Sequence, residues 1–170
     1  MSWLGAILIV TACTWTGFEI AKKLTARPRQ LRQLKVALQS FEAEIMYGMN
    51  PLPVVSEKIS EQLPVPVSYL FMYFADYLKK GERDAEQAWL KSLDATWPYT
   101  ALGPQEREVL RQFGTTLGKH EKMQQQKHIR LAMIHLEKEE NEAKDKQARY
   151  EKMAKTLGFL TGLLLIILFI

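Results

Sequence analysis

Leu157-Gly-Phe-Leu-Thr-Gly-Leu-Leu-Leu-Ile-Ile-Leu-Phe-Ile170 carries no charge, and the helical pattern of the charged stretch before it runs in without a break. Alone the run is short for a bilayer, because a helix rises ~1.5 Å per residue and the hydrocarbon core is ~30 Å thick. Lys152 and Lys155 extend it, since their stems can lie along apolar turns while the ammonium groups rise to the headgroups. Residues 153–170 then reach roughly 27 Å as a helix, a workable crossing. Inside that span Gly158 and Gly162 form a small-xxx-small spacing, which lets another helix backbone come close, so they are the candidates for packing within the membrane. No folded tail is expected beyond this run, which places the work of the chain before residue 157.

The chain has 170 residues, 47% apolar and 25% charged, values that would suit one ordinary soluble domain. Their distribution says otherwise. Every Lys, Arg, Asp and Glu lies between Glu19 and Lys155, leaving both ends bare. Cys13 is the single cysteine, so no intramolecular disulfide can form. A net charge of +4 without an arginine-rich tail gives no case for nucleic acid. Lys22, Lys23, Arg27, Arg29, Arg32 and Lys35 hold much of the surplus, directly after the uncharged run Trp3–Phe18. That run has three readings. A secretory signal wants a positive leader, and Met1–Ala6 has none. Val10-Thr11-Ala12-Cys13 is a passable lipobox and keeps lipidation of Cys13 as an alternative, again without the leader. The favoured reading is an uncleaved span. The basic cluster after it, and Lys144, Lys146, Arg149, Lys152 and Lys155 before the second, place both termini outside and the middle in the cytoplasm.

Between the spans the pattern is helical throughout. Proline disfavours helix in the residue before it, so Arg27-Pro28 is expected to end one helix and Pro28 to open the next. Leu31, Leu34, Leu38, Phe41 and Ile45 then recur at three and four, and Gly48, Asn50, Pro51 and Pro53 make a turn. A short helix over Leu52–Leu63 is closed by Pro64 and Pro66. Val67–Lys80 is the next, with Gly81 as its left-handed cap and Asp84 as the N-cap of a helix that buries Ala88 and Trp89. Gly103-Pro104 opens another, with Glu106 and Glu108 where the helix dipole favours acids. A last helix from near His120 has no proline or glycine until Gly158; Ile129, Met133 and Leu136 can pack on the bundle. Its stretch 137–152 is charged nearly all round, as expected of a stalk or of a helix that pairs with another chain. The fold class is therefore all-α: a compact bundle of about six helices between two terminal spans. The divisions are a span over 1–20, a cytoplasmic bundle over 21–136, a stalk over 137–152 and a span over 153–170.

The residues give no chemistry. No glycine-rich loop precedes Lys-Ser or Lys-Thr, and no Glu stands three before His120, His128 or His135. His135 and Glu139 are the nearest approach to a ligand pair, and two such groups on a polar helix are usually solvated. Cys13 has no base beside it. No cofactor, metal or enzymatic activity is expected.

Pro28–Pro53, with Glu44-Ile45-Met46-Tyr47-Gly48 and Pro51-Leu52-Pro53 at its end, resembles the stage III sporulation protein AB family of endospore-forming bacteria. So do Leu117-Gly118-Lys119-His120 with the Gln124–Gln126 run after it, and Leu157-Gly158 leading into the terminal apolar run. His120 departs from the acid usual in the family, so no role for that acid carries over. The resemblance covers the whole chain. It implies a subunit of the secretion-like channel between the mother cell and the engulfed forespore. The soluble part would look like the helical cytoplasmic domain of inner-membrane platform proteins in type II secretion and type IV pilus machines. The implied partners are the stage III sporulation AA-type ATPase, other channel membrane subunits and membrane lipids, with a homo-oligomer possible because the platform proteins carry two such domains. The implied place is the mother-cell membrane around the forespore. The exposed charges Arg29, Arg32, Glu42 and Glu44, with Asn50, are the candidate docking residues. The alternative is a scaffold or sensor that dimerises through the stalk by Leu136, Ala143, Tyr150 and Leu157, without an ATPase.

Overall fold

The computed structural model describes residues 2–81, 84–118 and 122–169, with side chains from Ala21 to Thr156 apart from Lys122 and Lys155 within those limits. Among the described residues the chain is all helix: α1 (Ser2–Tyr47), α2 (Leu52–Gln62), α3 (Val67–Lys79), α4 (Ala85–Thr96), α5 (Pro104–Gly114) and α6 (Lys122–Phe169), with a 3-10 turn over Trp97–Tyr99. The two long helices form the spine of the molecule; α2 and α3 pack against α1, α5 packs against α6, and α4 bridges α3 and α5. Helical secondary structure continues into both uncharged ends. No helix long and apolar enough to cross a membrane is found among the described residues. The side chains of the two apolar runs, including Cys13, Gly158 and Gly162, lie outside them.

One boundary differs from expectation. Pro28 does not open a new helix; α1 passes through it. An interior proline removes the bond to the Leu24 carbonyl and crowds it, at a cost of ~3 kcal/mol. Tertiary contacts override that cost here: Pro28 is itself buried, Arg27 beside it is anchored to two other helices, and Leu31, Leu34 and Leu38 are buried over the next three turns. The other punctuation follows local chemistry. Pro51 and Pro53 flank the start of α2, where a missing N–H leaves nothing unsatisfied. Gly81 takes φ +99° after α3, a conformation that strains any residue with a Cβ. Asp84 Oδ1 accepts the Glu86 N–H at 3.0 Å and caps α4.

The core gathers on Trp89 of α4, which is fully buried. Phe71, Phe74 and Phe113 meet its ring edge-to-face at centroid distances of 5.7, 5.2 and 5.1 Å, the offset geometry that the ring quadrupole favours. Its Nε1–H donates to the Leu110 carbonyl at 2.8 Å, so the one polar atom of the indole is satisfied inside the core. Phe113 passes the contact on to Phe41 of α1, centroids 6.0 Å apart. α3, α4, α5 and α1 thus meet through one aromatic chain. The indole is seated directly against Gly114 at the end of α5, where a Cβ would collide with Trp89 Cδ1. The bare Cα of Gly114 is what admits the ring.

Two outcomes are expected in denaturant titrations. Trp89→Ala should cost about 3–5 kcal/mol, as large aromatic truncations in cores do. Gly114→Ala adds one methyl group yet should still lower stability by about 1–3 kcal/mol through overpacking. An unchanged midpoint for Gly114→Ala would mean that the indole has another place to go.

Candidate functional site

α1 and α6 are joined by charge as well as by apolar packing. Arg27 Nε donates to Glu106 Oε1 at 2.7 Å, and its terminal nitrogen donates to Glu139 Oε2 at 2.9 Å. Glu106 is fully buried at the start of α5, and its second oxygen accepts the Gly103 N–H at 2.9 Å. One guanidinium therefore fastens α1, α5 and α6 together. Farther along, Glu140 is buried to within 3% and meets Lys35 at 3.1 Å, Arg32 at 3.4 Å and Lys144 at 2.6 Å. Burial pushes the Glu140 carboxyl up, but the hydrogen bonds from Lys144 and Lys35 outweigh it and hold it below the ordinary carboxylate value. Lys35 is pushed down by burial and raised more by Glu140 and Glu137, ending above the usual lysine value. Toward the other end, Glu42 accepts from Gln126 at 2.7 Å and from Arg130 at 2.9 Å, and these bonds overcome burial to hold it low.

The order of these pairs fixes direction. As α1 runs from Arg27 to Lys35 to Glu42, its partners on α6 move back from Glu139 and Glu140 to Arg130 and Gln126. The helices are antiparallel, so the ends that lead into the two uncharged runs lie at the same end of the bundle. At the opposite tip, the turn after α1 exposes Tyr47 and Met49, 85% and 101% accessible, with Asn50 and Val54 beside them. Exposed Met123 near the start of α6 lies toward the same tip, one turn before Gln126. Gly48 in that turn has its Cα close over the last turn of α1, where a Cβ would stand 2.5 Å from the Glu44 carbonyl oxygen.

The candidate docking residues do not form one cluster. Arg29 is exposed; Arg32 is exposed and reaches Glu140. Both lie toward the end that leads to the uncharged runs. Glu42, Glu44 and Asn50 lie toward the tip. Glu42 is committed to α6 and its side chain is mostly buried. Glu44 pairs with Lys58 at 2.8 Å and accepts from Asn50 Nδ2 at 3.4 Å, bonds that hold its carboxyl below the usual range. Glu139, one turn from His135 and expected to be solvated, is instead taken by Arg27. No group of three side chains suited to a metal ion occurs among the described residues. The stretch 137–152 is paired with α1 over its first half, where Ala143 is buried, as is Leu136 just before it.

Sequence reasoning missed the Arg27–Glu106 clamp. A partial signal stood in Gly103-Pro-Gln-Glu106, since a glutamate at the third helical position reaches back to the backbone before the helix. Its cation stands far away in sequence, and no local pattern pairs the two.

The comparisons with known proteins agree with one another. A family model described as stage III sporulation protein AB matches residues 2–170. The chain is 58% identical over 165 residues to stage III sporulation protein AB of Bacillus subtilis (strain 168), covering 97% of this chain and 96% of that protein. A solved structure of a stage III sporulation protein AB is similar with a TM-score of 0.71 at 52% identity, covering 73% of this chain and 98% of that one.

Arg27→Leu should cost about 3–5 kcal/mol, because it leaves the buried Glu106 without its cation. Adding Glu106→Leu should restore much of that loss, and equal destabilisation of the single and double variants would contradict the pairing. The seam should also respond to acid. Glu140 and Glu42 are depressed in the folded state, so their contribution is complete above the ordinary value of 4.5 and is lost as pH falls below it. Thermal melts at descending pH should show Glu140→Gln flattening the slope below that value, and an unchanged slope would exclude Glu140 as a source.

Proposed function

The chain belongs to the stage III sporulation protein AB family, and we propose that it is a non-enzymatic platform subunit of the sporulation secretion-like channel. In this role it docks the AA-type ATPase on the cytoplasmic side of the mother-cell membrane around the forespore. The supporting observation is the antiparallel α1–α6 seam. It directs both uncharged ends out of one end of the bundle, where two terminal spans of a common membrane would have to be, and leaves the opposite tip facing away. With Cys13 inside the first span, both termini lie outside and residues 21–136 in the cytoplasm, while 137–152 carries α6 to the bilayer. Gly158 and Gly162 are then available to pack against spans of other channel subunits or of a second copy.

The tip supplies the docking surface. Tyr47 and Met49 are large apolar side chains left in solvent, Val54 and Met123 are exposed nearby, and Asn50 and Glu44 give the patch a polar rim. Adjacent exposed apolar groups with such a rim are the usual mark of a partner surface. Glu42 serves the seam instead. The alternative, a scaffold that dimerises through the stalk, is disfavoured because Leu136 and Ala143 of its stripe are already buried inside the chain.

Met49→Arg, in the full chain held in detergent micelles, should weaken capture of the purified ATPase roughly tenfold or more, as loss of a central apolar contact does. Its melting temperature should stay that of the parent, since Met49 touches no core residue that its removal would uncover. Undiminished binding would move the docking surface away from the tip, and no binding by the parent chain would overturn the adaptor reading.

A further inference from the structure

The basic cluster after the first uncharged run divides by helix face. Arg27, Arg32 and Lys35 are spent on the seam with α6. Lys22 and Arg29, seven residues and two turns apart, stand on another face, exposed and with no ion-pair partner among the described residues. That face is not flat. With Ala26 and Gln33 on α1 and Pro64-Val65 in the loop between α2 and α3, the two cations line a groove of about 580 Å³. Val65 is left 64% exposed at its edge, an apolar side chain that nothing in the bundle covers. Gln33 Oε1 is buried without a hydrogen-bond partner among the described residues. Such an orphan costs stability unless something bonds the amide. Gln33 also lines the groove, so its amide NH2 can donate there while the oxygen stays sealed.

We propose that this groove binds the phosphate headgroup of an anionic membrane lipid. Lys22 and Arg29 neutralise and hydrogen-bond the phosphate oxygens, the Gln33 amide donates a further bond, and Ala26, Pro64 and Val65 receive the glycerol and the first acyl carbons. Two cations without carboxylates between them, beside an apolar wall, suit an amphiphilic anion better than an acidic peptide, which would bring its own backbone donors and acceptors. The position fits as well, because Lys22 stands one turn past the uncharged run and Arg29 two turns deeper. The same phosphate chemistry exists in free glycerol phosphate, which lacks the chains that the apolar wall would hold. The proposal rests on the reading of α1 as a membrane helix.

The test uses the full chain in neutral detergent micelles, with short-chain phosphatidylglycerol, short-chain phosphatidylcholine and free glycerol phosphate as separate ligands, and counts bound molecules by native mass spectrometry. One phosphatidylglycerol should be retained, phosphatidylcholine should not compete, and glycerol phosphate should compete only at much higher concentration. Arg29→Ala and Lys22→Ala should each weaken retention roughly tenfold, the usual effect of losing a charge-assisted hydrogen bond. Gln33→Leu keeps the charge and the volume, so it separates a built site from general attraction to a basic surface; it too should weaken retention severalfold. If only the two cations matter and Gln33→Leu binds as the parent does, the attraction is nonspecific and the site is overturned. Equal binding of phosphatidylcholine would overturn it as well, as would glycerol phosphate competing on equal terms with the lipid. Flotation of the parent chain with purely neutral vesicles is the control: failure there removes the membrane reading, whereas flotation without phosphatidylglycerol retention removes the groove alone.

Discussion

Arg27 holds three helices with one planar group. Its two donors reach Glu106 on α5 and Glu139 on α6, and the carboxylate of Glu106 is sealed from water with its remaining oxygen on the Gly103 amide. A buried ion pair adds little net stability over an apolar one, but it tolerates few alternatives, because either charge left alone is costly. The clamp therefore acts as a register pin. It sets α1 against α6 at one height, and Glu140 and Glu42 then find their partners in descending order along the seam. It also sits beside Pro28, the position where α1 would otherwise be weakest.

From the register follows the polarity of the molecule. Antiparallel pairing brings the two charge-free runs out at one end and sends the Tyr47–Pro53 turn to the other. The short helices fill the length between, tied through Trp89 to α1 by way of Phe113 and Phe41. The platform role proposed above would use this separation, with the uncharged ends at one end of a stiff body and the exposed turn at the other.

Much of the body was legible in the sequence because its determinants are local. The heptad-like spacing from Leu31 to Ile45, the glycine after Val67–Lys79 and the capping aspartate before α4 each act within a few residues, and each gave the observed element. The break expected at Pro28 failed for the opposite reason: its cost is local but its compensation comes from α5 and α6. Local sequence accounts for Glu106 only by its place in a helix dipole, whereas the structure makes it a buried counter-ion. Glu42 and Glu44 read as exposed charges in the sequence because a polar helix face looks the same whether it meets water or another polar face. α1 joins α6 through charges such as Glu42 as well as leucines, and Glu44 is met by Lys58 of α2; periodicity cannot show which charges are matched.

The adaptor reading makes one demand of the whole assembly: the ATPase must reach a membrane through this chain. Flotation of purified ATPase with neutral-lipid vesicles, with and without the reconstituted full chain, measures it. The ATPase should rise to the top of the gradient only when the chain is present, and Met49→Arg vesicles should leave most of it behind. If the chain itself floats and the ATPase stays at the bottom, the tip is not its dock and the platform role is contradicted.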